Sequence, residues 1–223
     1  MIGVIRVFTT DNKEILNQHG KVITNTSNIP TVSKCIQDQP LGIFNEETEA
    51  QAIPKIVELG KELEREGSKV LVISCAADPA IEELRKVVSI PVIGAGSASA
   101  LTALSIGKPV GVMGITDNAP AVVEDLLSSL LVGYKRPDGV TNTTDLLTAQ
   151  GKRSGIEAAE HLISLGAEAI VFACTGFSTI GLAAVLRERL NIPVIDAVEA
   201  EGLFASYLLK KSVPSVSSQA GFL

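Results

Sequence analysis

GSKVLVISC at residues 67–75 and GAEAIVFAC at residues 166–174 are two versions of one pattern in this sequence. Each is a short apolar run of the kind that forms a strand buried on both faces of a parallel sheet, and each ends in a cysteine. The repeat continues with IPVI at residues 90–93 and again at 192–195. We therefore predict two similar lobes, each with a thiol at the carboxyl end of a buried strand, where ligands bind in open α/β sheets.

Strand and helix signals alternate through the rest of the chain, which predicts an α/β fold with two pseudo-symmetric lobes, each a parallel sheet flanked by helices. Residues 1–97 plus 204–223 are assigned to the first lobe and residues 98–203 to the second, with the active site in the cleft between them. A polar region to about Leu41, a turn-rich loop at 134–144 and a loosely held tail from Ser212 separate or follow the regular elements. Besides the repeated units, strands are predicted at 2–8 and 109–115, and helices near 12–18, 46–66, 79–88, 97–106, 120–131 and 149–165.

Composition and charge favour an enzyme acting on a small molecule. The chain has 223 residues, of which 46% are hydrophobic, and a net charge of −6 with a pI near 5.0. An acidic chain without a basic cluster disfavours nucleic acid and acidic membranes as partners. The sequence begins with a strand instead of a signal peptide, and three cysteines are a poor disulfide framework, so we expect free thiols and a cytoplasmic location.

Each repeated cysteine comes shortly before a predicted helix start. We expect Asp78 to cap the first of these helices, with Pro79 at its first position, and Thr175 or Ser178 to cap the second. Exposed amides at a helix N-terminus stabilise a thiolate and bind an oxyanion, so both thiols are expected to have a lowered pKa. Cys35 has no duplicate and is given no role.

The cysteine motifs resemble those of the aspartate/glutamate/hydantoin racemase superfamily. CAADP at residues 75–79, followed by EEL at 82–84, resembles the first cysteine motif of the hydantoin racemase branch, and CTG at 174–176 with IPVID at 192–196 is similar to the second motif of the superfamily. The resemblance covers nearly the whole chain. It implies a cofactor-free active site between two lobes, one catalytic cysteine (Cys75 or Cys174) for each face of the substrate, and a homo-oligomer.

Substrate contacts are expected from loops at the same edge of each sheet. Thr-Asp-Asn follows the first strand of both halves, at residues 10–12 and 116–118, and is equally suited to substrate binding and to helix capping. No metal site is predicted, because His19 and His161 lie outside any ligand spacing. Lys135, Arg136, Lys152 and Arg153 are assigned to the surface. The predicted substrate-binding residues are Thr9, Thr10, Ala76, Ala77, Thr116, Thr175 and Gly176.

Three alternatives remain open. Gly94-Ala95-Gly96 between a strand and a helix is a weak dinucleotide-binding signal, because Ser99 occupies the third glycine position. A two-lobed ligand-binding protein would share the architecture without needing paired cysteines. Within the superfamily, amino-acid racemases and maleate-type cis–trans isomerases also use two cysteines. For proton transfer, each sulfur must lie roughly 3–3.5 Å from the reacting carbon on opposite sides, so we predict that the sulfurs of Cys75 and Cys174 lie about 7 Å apart.

Overall fold

The structure of the protein is a computed structural model that describes residues 1–210. It contains two four-stranded sheets with the same topology, β2-β1-β3-β4 and β6-β5-β7-β8, and every strand pair is parallel. This architecture confirms the predicted fold class. The strands of the first sheet are β1 (Ile2–Arg6), β2 (Thr31–Cys35), β3 (Val70–Ser74) and β4 (Val92–Gly94), and those of the second are β5 (Val110–Met113), β6 (Leu131–Lys135), β7 (Ala169–Phe172) and β8 (Val194–Ile195).

Helices cover both faces of each sheet. The first sheet packs between α2 with α3 on one face and α1 with α9 on the other, and the second sheet packs between α6 with α8 and α4 with α5. The central strands β3 and β7 are buried throughout, as their unbroken apolar sequences predict. The helices are α1 (Lys13–Ser27), α2 (Glu46–Arg65), α3 (Ile81–Arg85), α4 (Ala95–Ile106), α5 (Ala121–Leu127), α6 (Ala149–Ser164), α7 (Gly176–Thr179), α8 (Leu182–Leu190) and α9 (Ala197–Lys210).

Two helices cross between the lobes. α4 follows the last strand of the first sheet, yet its buried alanines Ala100 and Ala103 pack into the core of the second sheet. α9 follows the last strand of the second sheet, and Val198 and Ala205 pack into the core of the first. This exchange ties the two sheets together through their cores. The division at residues 97/98 and 203/204 stays a prediction, and the expected loose tail from Ser212 lies outside the described residues.

The two crossing helices are capped in the same way from different places in the sequence. Asp196 immediately precedes α9 and caps it, because its carboxylate accepts hydrogen bonds from the amides of Val198 and Glu199. At the equivalent place before α4 the chain has Gly94, and Asp78 supplies the carboxylate instead, accepting from the amides of Gly96 at 2.6 Å and Ser97 at 2.9 Å. A Cβ on Gly94 would lie 2.2 Å from the Asp78 carboxyl carbon, so only glycine leaves room.

This finding corrects the predicted helix start after the first cysteine. Asp78 does not cap the helix that follows it: α3 begins at Ile81, its N-cap residue is Ala80, and within residues 1–210 no side chain caps it. Asp78 adopts a positive φ of 54° and turns its carboxylate toward α4. The prediction that Pro79 occupies the first helical position is wrong for the same reason.

The sequence reasoning missed one outer strand in each sheet, β2 in the first and β6 in the second. β2 lies within the predicted polar region, and β6 lies where a helix to Leu131 and a loop from Tyr134 were predicted. Both strands are only partly buried, so their sequences lack the continuous apolar run that marked β3 and β7. α1 also extends nine residues beyond the expected end, to Ser27, because several of its buried positions are polar or glycine. Among residues 1–210, no helix is both long and apolar enough to cross a membrane.

We predict that Asp78→Ala lowers the free energy of unfolding by about 1–2 kcal/mol, because the first amides of α4 lose their carboxylate cap. Urea unfolding followed by circular dichroism measures the change. Glu82→Ala is the matched control, since it removes only an exposed ion pair with Arg85 and is expected to change stability by less than about 0.5 kcal/mol. Equal effects of the two substitutions would contradict the assigned capping role.

Candidate active site

A cavity of about 430 Å³ lies where the carboxyl ends of the central strands of the two sheets meet. Its volume is in the range of small-molecule sites. The segments after β1 and β3 form one wall, and the segments after β5 and β7 form the other. Cys75 and Cys174 both line this cavity, one from each lobe. The structure therefore brings together the two residues that the sequence repeat singled out.

Backbone amides contact both sulfurs. The amide of Gly176 lies 3.4 Å from the Cys174 sulfur, and the amide of Ala77 donates to Cys75. Burial opposes these hydrogen bonds and has the larger effect, because a thiolate loses more from desolvation than two amides return. Burial raises the pKa of Cys174 to about 11 and raises the pKa of Cys75 well above its ordinary value. The prediction that both thiols have a lowered pKa is therefore wrong.

A hydrogen bond joins the two cysteine segments directly. The hydroxyl of Thr175 donates to the main-chain carbonyl of Ser74 at 3.0 Å, in a buried position. Ser74 precedes Cys75, and Thr175 follows Cys174. Thr175 therefore connects the lobes instead of capping α7, and no side chain of the described residues caps that helix. The expected cap from Thr175 or Ser178 is wrong.

The repeated Thr-Asp-Asn motif has different roles in the two lobes. In the first lobe, the Asn12 side chain accepts from the amides of Glu14 and Ile15 and caps α1. In the second lobe, Thr116 and its two successors line the cavity. The hydroxyl of Thr116 donates to the Asn118 carbonyl at 2.7 Å, which shapes this loop.

The other predicted contacts divide into two groups. Ala76, Ala77 and Gly176 line the cavity, as do Thr116 and Thr175. Thr9 and Thr10 are not among the described residues that line it. The Thr9 hydroxyl donates to the carbonyl of Ile36 and accepts from the amide of Gln39, and the Thr10 hydroxyl accepts from the amide of Asn12. Both hydroxyls are used to hold loops, and we remove both residues from the proposed substrate contacts.

The sequence reasoning missed several residues of the cavity wall. Arg6 and His19 are buried and line it, although neither stood out in the sequence. Glu46 and Glu49, at the start of α2, and Asp117 add carboxylates. The only sequence signal for these residues was their position near a strand end or a helix start. That signal was weak for Glu46 and Glu49, because an irregular segment separates α2 from the preceding strand.

The four basic residues assigned to the surface do not line the cavity in the described part of the chain. One of them, Arg136, pairs with the cavity-lining Asp117 at 2.7 Å. The glycines of the GAG signal lie at the start of α4, where the Asp78 carboxylate occupies the amides that a phosphate would need. The arrangement therefore disfavours a dinucleotide at that helix.

Comparison with known proteins decides the family. The sequence profile described as Asp/Glu/Hydantoin racemase matches residues 14–201. The chain belongs to the Asp/Glu/hydantoin racemase family. It is accordingly an isomerase, and the resemblance seen in the two cysteine motifs is confirmed.

Relatives in this family share most of the chain. Hydantoin racemase from Rhizobium meliloti is 29% identical over 203 residues, which cover 87% of this chain and 80% of the relative. The structure of allantoin racemase from Klebsiella pneumoniae matches with a TM-score of 0.82 and 22% identity, covering 95% of this chain and 88% of that one. Glutamate racemase RacE1 from Bacillus anthracis matches with a TM-score of 0.68 and 16% identity, covering 95% and 82%. At these identities the two structural matches show a common fold.

We predict that the Cys174 thiol stays protonated at pH values at which an ordinary cysteine is already ionised, because burial raises its pKa. The test uses Cys35→Ser/Cys75→Ser, which leaves one cysteine, and subtracts the ultraviolet absorbance of the cysteine-free triple variant to cancel the tyrosines. The thiolate signal should have its midpoint at a pKa of about 11. After unfolding in denaturant, the midpoint should fall to about 8.5. A folded midpoint at or below that of the unfolded chain would show that the amides outweigh desolvation.

Proposed function

We propose that the protein is a cofactor-independent racemase that moves a proton between the two faces of a carbon next to a carbonyl, with Cys75 and Cys174 as the two bases. The observation that carries this proposal is that one cavity is lined by a thiol from each lobe. A family fold in which two equivalent strand ends each present a thiol to the same space is suited to paired acid and base catalysis.

The electrostatics of the two thiols support the division of roles. Besides burial, the negative charge of Cys174 raises the pKa of Cys75. Two neighbouring groups of like charge do not ionise together, so the singly ionised pair is favoured over the doubly ionised one. One thiolate and one thiol are what the reaction requires: the thiolate removes the proton from one face, and the thiol returns its own proton to the other face.

We propose that the substrate is a 5-substituted hydantoin or a similar cyclic amide. Glu46, Glu49 and Asp117 line the cavity, whereas Arg6 is the one Lys or Arg among the described lining residues. Burying the two carboxylates of aspartate or glutamate in such surroundings is costly. A hydantoin ring presents neutral carbonyls and N–H groups that hydroxyls and backbone amides can meet. The proposed contacts are Ala76, Ala77, Thr116, Thr175 and Gly176.

The remaining features of the proposal follow from the sequence. We retain a cytoplasmic location and a homo-oligomer as part of it. Addition of a thiolate to an alkene, as in maleate-type isomerases of the superfamily, is the second candidate reaction, because paired cysteines serve it equally well. Incubation with maleate and detection of fumarate distinguishes this reaction, and we expect no turnover.

We predict that Cys75→Ser and Cys174→Ser each lower the rate of racemisation at least about 10³-fold, because each removes one of the two groups that exchange the proton. Chiral chromatography of a single hydantoin enantiomer measures the rate, after subtraction of the reaction without protein. Cys35→Ser is the control, since Cys35 ends an edge strand and does not line the cavity in the described residues. Full activity in either of the first two variants, with the protein folded, would refute the two-base assignment.

A second prediction concerns substrate choice. Initial rates for 5-substituted hydantoins should exceed those for free aspartate and glutamate by at least about 100-fold, because the acidic cavity opposes a second carboxylate. Loss of optical rotation under identical conditions, without added cofactor, measures both classes. Faster turnover of aspartate or glutamate would overturn the proposed substrate and leave the two-cysteine mechanism standing.

A further inference from the structure

A buried polar cluster borders the cavity in the first lobe, and the two-thiol mechanism makes no use of it. We call its members, Arg6, His19, Ser74 and Glu201, the Arg6 cluster. His19 Nδ1 lies 2.8 Å from the Ser74 hydroxyl, and that hydroxyl donates to Glu201 at 3.0 Å. Arg6, His19 and Ser74 also line the cavity. Burying polar groups costs free energy, so four buried polar side chains next to a ligand cavity indicate a function that offsets this cost.

Arg6 is held on one side only. Its Nη1 donates to the main-chain carbonyls of Ile15 at 2.7 Å and Leu16 at 3.1 Å, and its guanidinium lies over the ring of Phe8. The structure gives Nε and Nη2 no hydrogen-bond partner among the described residues. In residues 1–210, the fully buried side-chain nitrogen and oxygen atoms without a hydrogen-bond partner are Ser68 Oγ and Glu201 Oε1. Arg6 Nε and Nη2 are not among them. Nε and Nη2 therefore keep some accessible surface, and Arg6 lines the cavity.

Within the described part of the chain, the charge of Arg6 has no counterion in contact. The residue is only 3% exposed, yet within residues 1–210 no carboxylate oxygen lies within 4 Å of it to form an ion pair. Glu201 is fully buried, and burial raises the pKa of its carboxyl well above the usual range, so the neutral acid is favoured there. Buried arginines are ordinarily paired. An unpaired one on a cavity wall is suited to a ligand that carries or develops negative charge.

The fold itself does not require these polar side chains. Arg6 lies beside Ser74, the residue before the first cysteine. In the second lobe, the residue before the cysteine is Ala173, and its amide donates to the carbonyl of Met113, so continuing the strand register by one residue places Gly114 beside it. At equivalent positions of the strand ends, the first lobe therefore has an arginine and a serine, and the second lobe has a glycine and an alanine. This difference indicates a role for Arg6 at the site.

We propose that Arg6 binds the substrate oxygen on which negative charge develops during proton transfer. This inference rests on the proposed racemase function. As one thiolate takes the proton from carbon and becomes a thiol, the C–H electron pair moves to the adjacent carbonyl and gives an enolate oxygen, to which the free N–H groups of Arg6 donate. When the opposite thiol returns its proton to carbon, the pair moves back and the carbonyl is restored. Charged donors aimed at developing charge are among the strongest contributors to catalysis.

The test compares Arg6→Met and Arg6→Lys with Arg85→Met, a control in the same lobe whose arginine also donates to a main-chain carbonyl but does not line the cavity. Arg6→Met should lower kcat by about 10²–10³-fold and change KM little, because the interaction forms mainly in the transition state. Arg6→Lys should restore part of the loss, and Arg85→Met should behave as the unmodified protein.

A binding measurement keeps this proposal separate from the racemase activity. Barbiturate is a planar ring anion with its charge on enolate oxygens, whereas unsubstituted hydantoin is a comparable neutral ring. By calorimetry, folded Arg6→Met should bind barbiturate at least about 100-fold more weakly than the unmodified protein and bind hydantoin almost equally. Circular dichroism establishes that the variant is folded, and Arg6→Gln, which also removes the positive charge, replaces Arg6→Met if that variant is not folded.

Each outcome decides one of the two claims. Barbiturate affinity that does not depend on Arg6, or no barbiturate binding by the unmodified protein, overturns the assignment of Arg6 whatever the racemase activity. Arg6-dependent binding of barbiturate by a protein that racemises no hydantoin sustains Arg6 as the anion-binding group and rejects the proposed function.

Discussion

The hydrogen bond from the Thr175 hydroxyl to the Ser74 carbonyl connects the two strand ends that carry the cysteines. His19 adds a second connection in the same region, since its Nε2 lies 2.7 Å from the Thr179 hydroxyl on α7. These polar contacts add to the crossing of α4 and α9, which also connects the two sheets. The first of these contacts is buried and the second is partly buried, and both lie beside the segment that carries Cys174.

Desolvation decides the resting state of the site. Amides contact both sulfurs, but burial exceeds their effect and holds the pKa of Cys174 at about 11. The neutral form of both thiols is therefore favoured at neutral pH. Ionisation must be favoured by what enters the cavity. A cation already on the wall, Arg6, is consistent with a site that accepts negative charge once substrate is present.

The sequence predicted what depends on continuous apolar runs and on repetition. The strands that lead to Cys75 and Cys174 and the two-lobed fold follow from the repeat at residues 67–75 and 166–174. The family follows from the resemblance of the motifs at residues 75–79, 82–84, 174–176 and 192–196. Edge strands β2 and β6 were missed because half-buried strands carry weak patterns. The role of Asp78 and the placement of Arg6 depend on tertiary contacts with α4 and α1, between segments that local patterns treat separately.

The central claim is that each thiol serves one face of a single carbon. Its most direct test incubates one enantiomer of a 5-substituted hydantoin with the protein in D₂O, stops the reaction early, and measures deuterium in each enantiomer by chiral chromatography with mass spectrometry. After subtraction of exchange without protein, the product enantiomer should carry one deuterium at the ring carbon, and the recovered starting enantiomer should retain its protium. Deuterium appearing at equal rates in both enantiomers, or in neither, would contradict a mechanism with one base on each face.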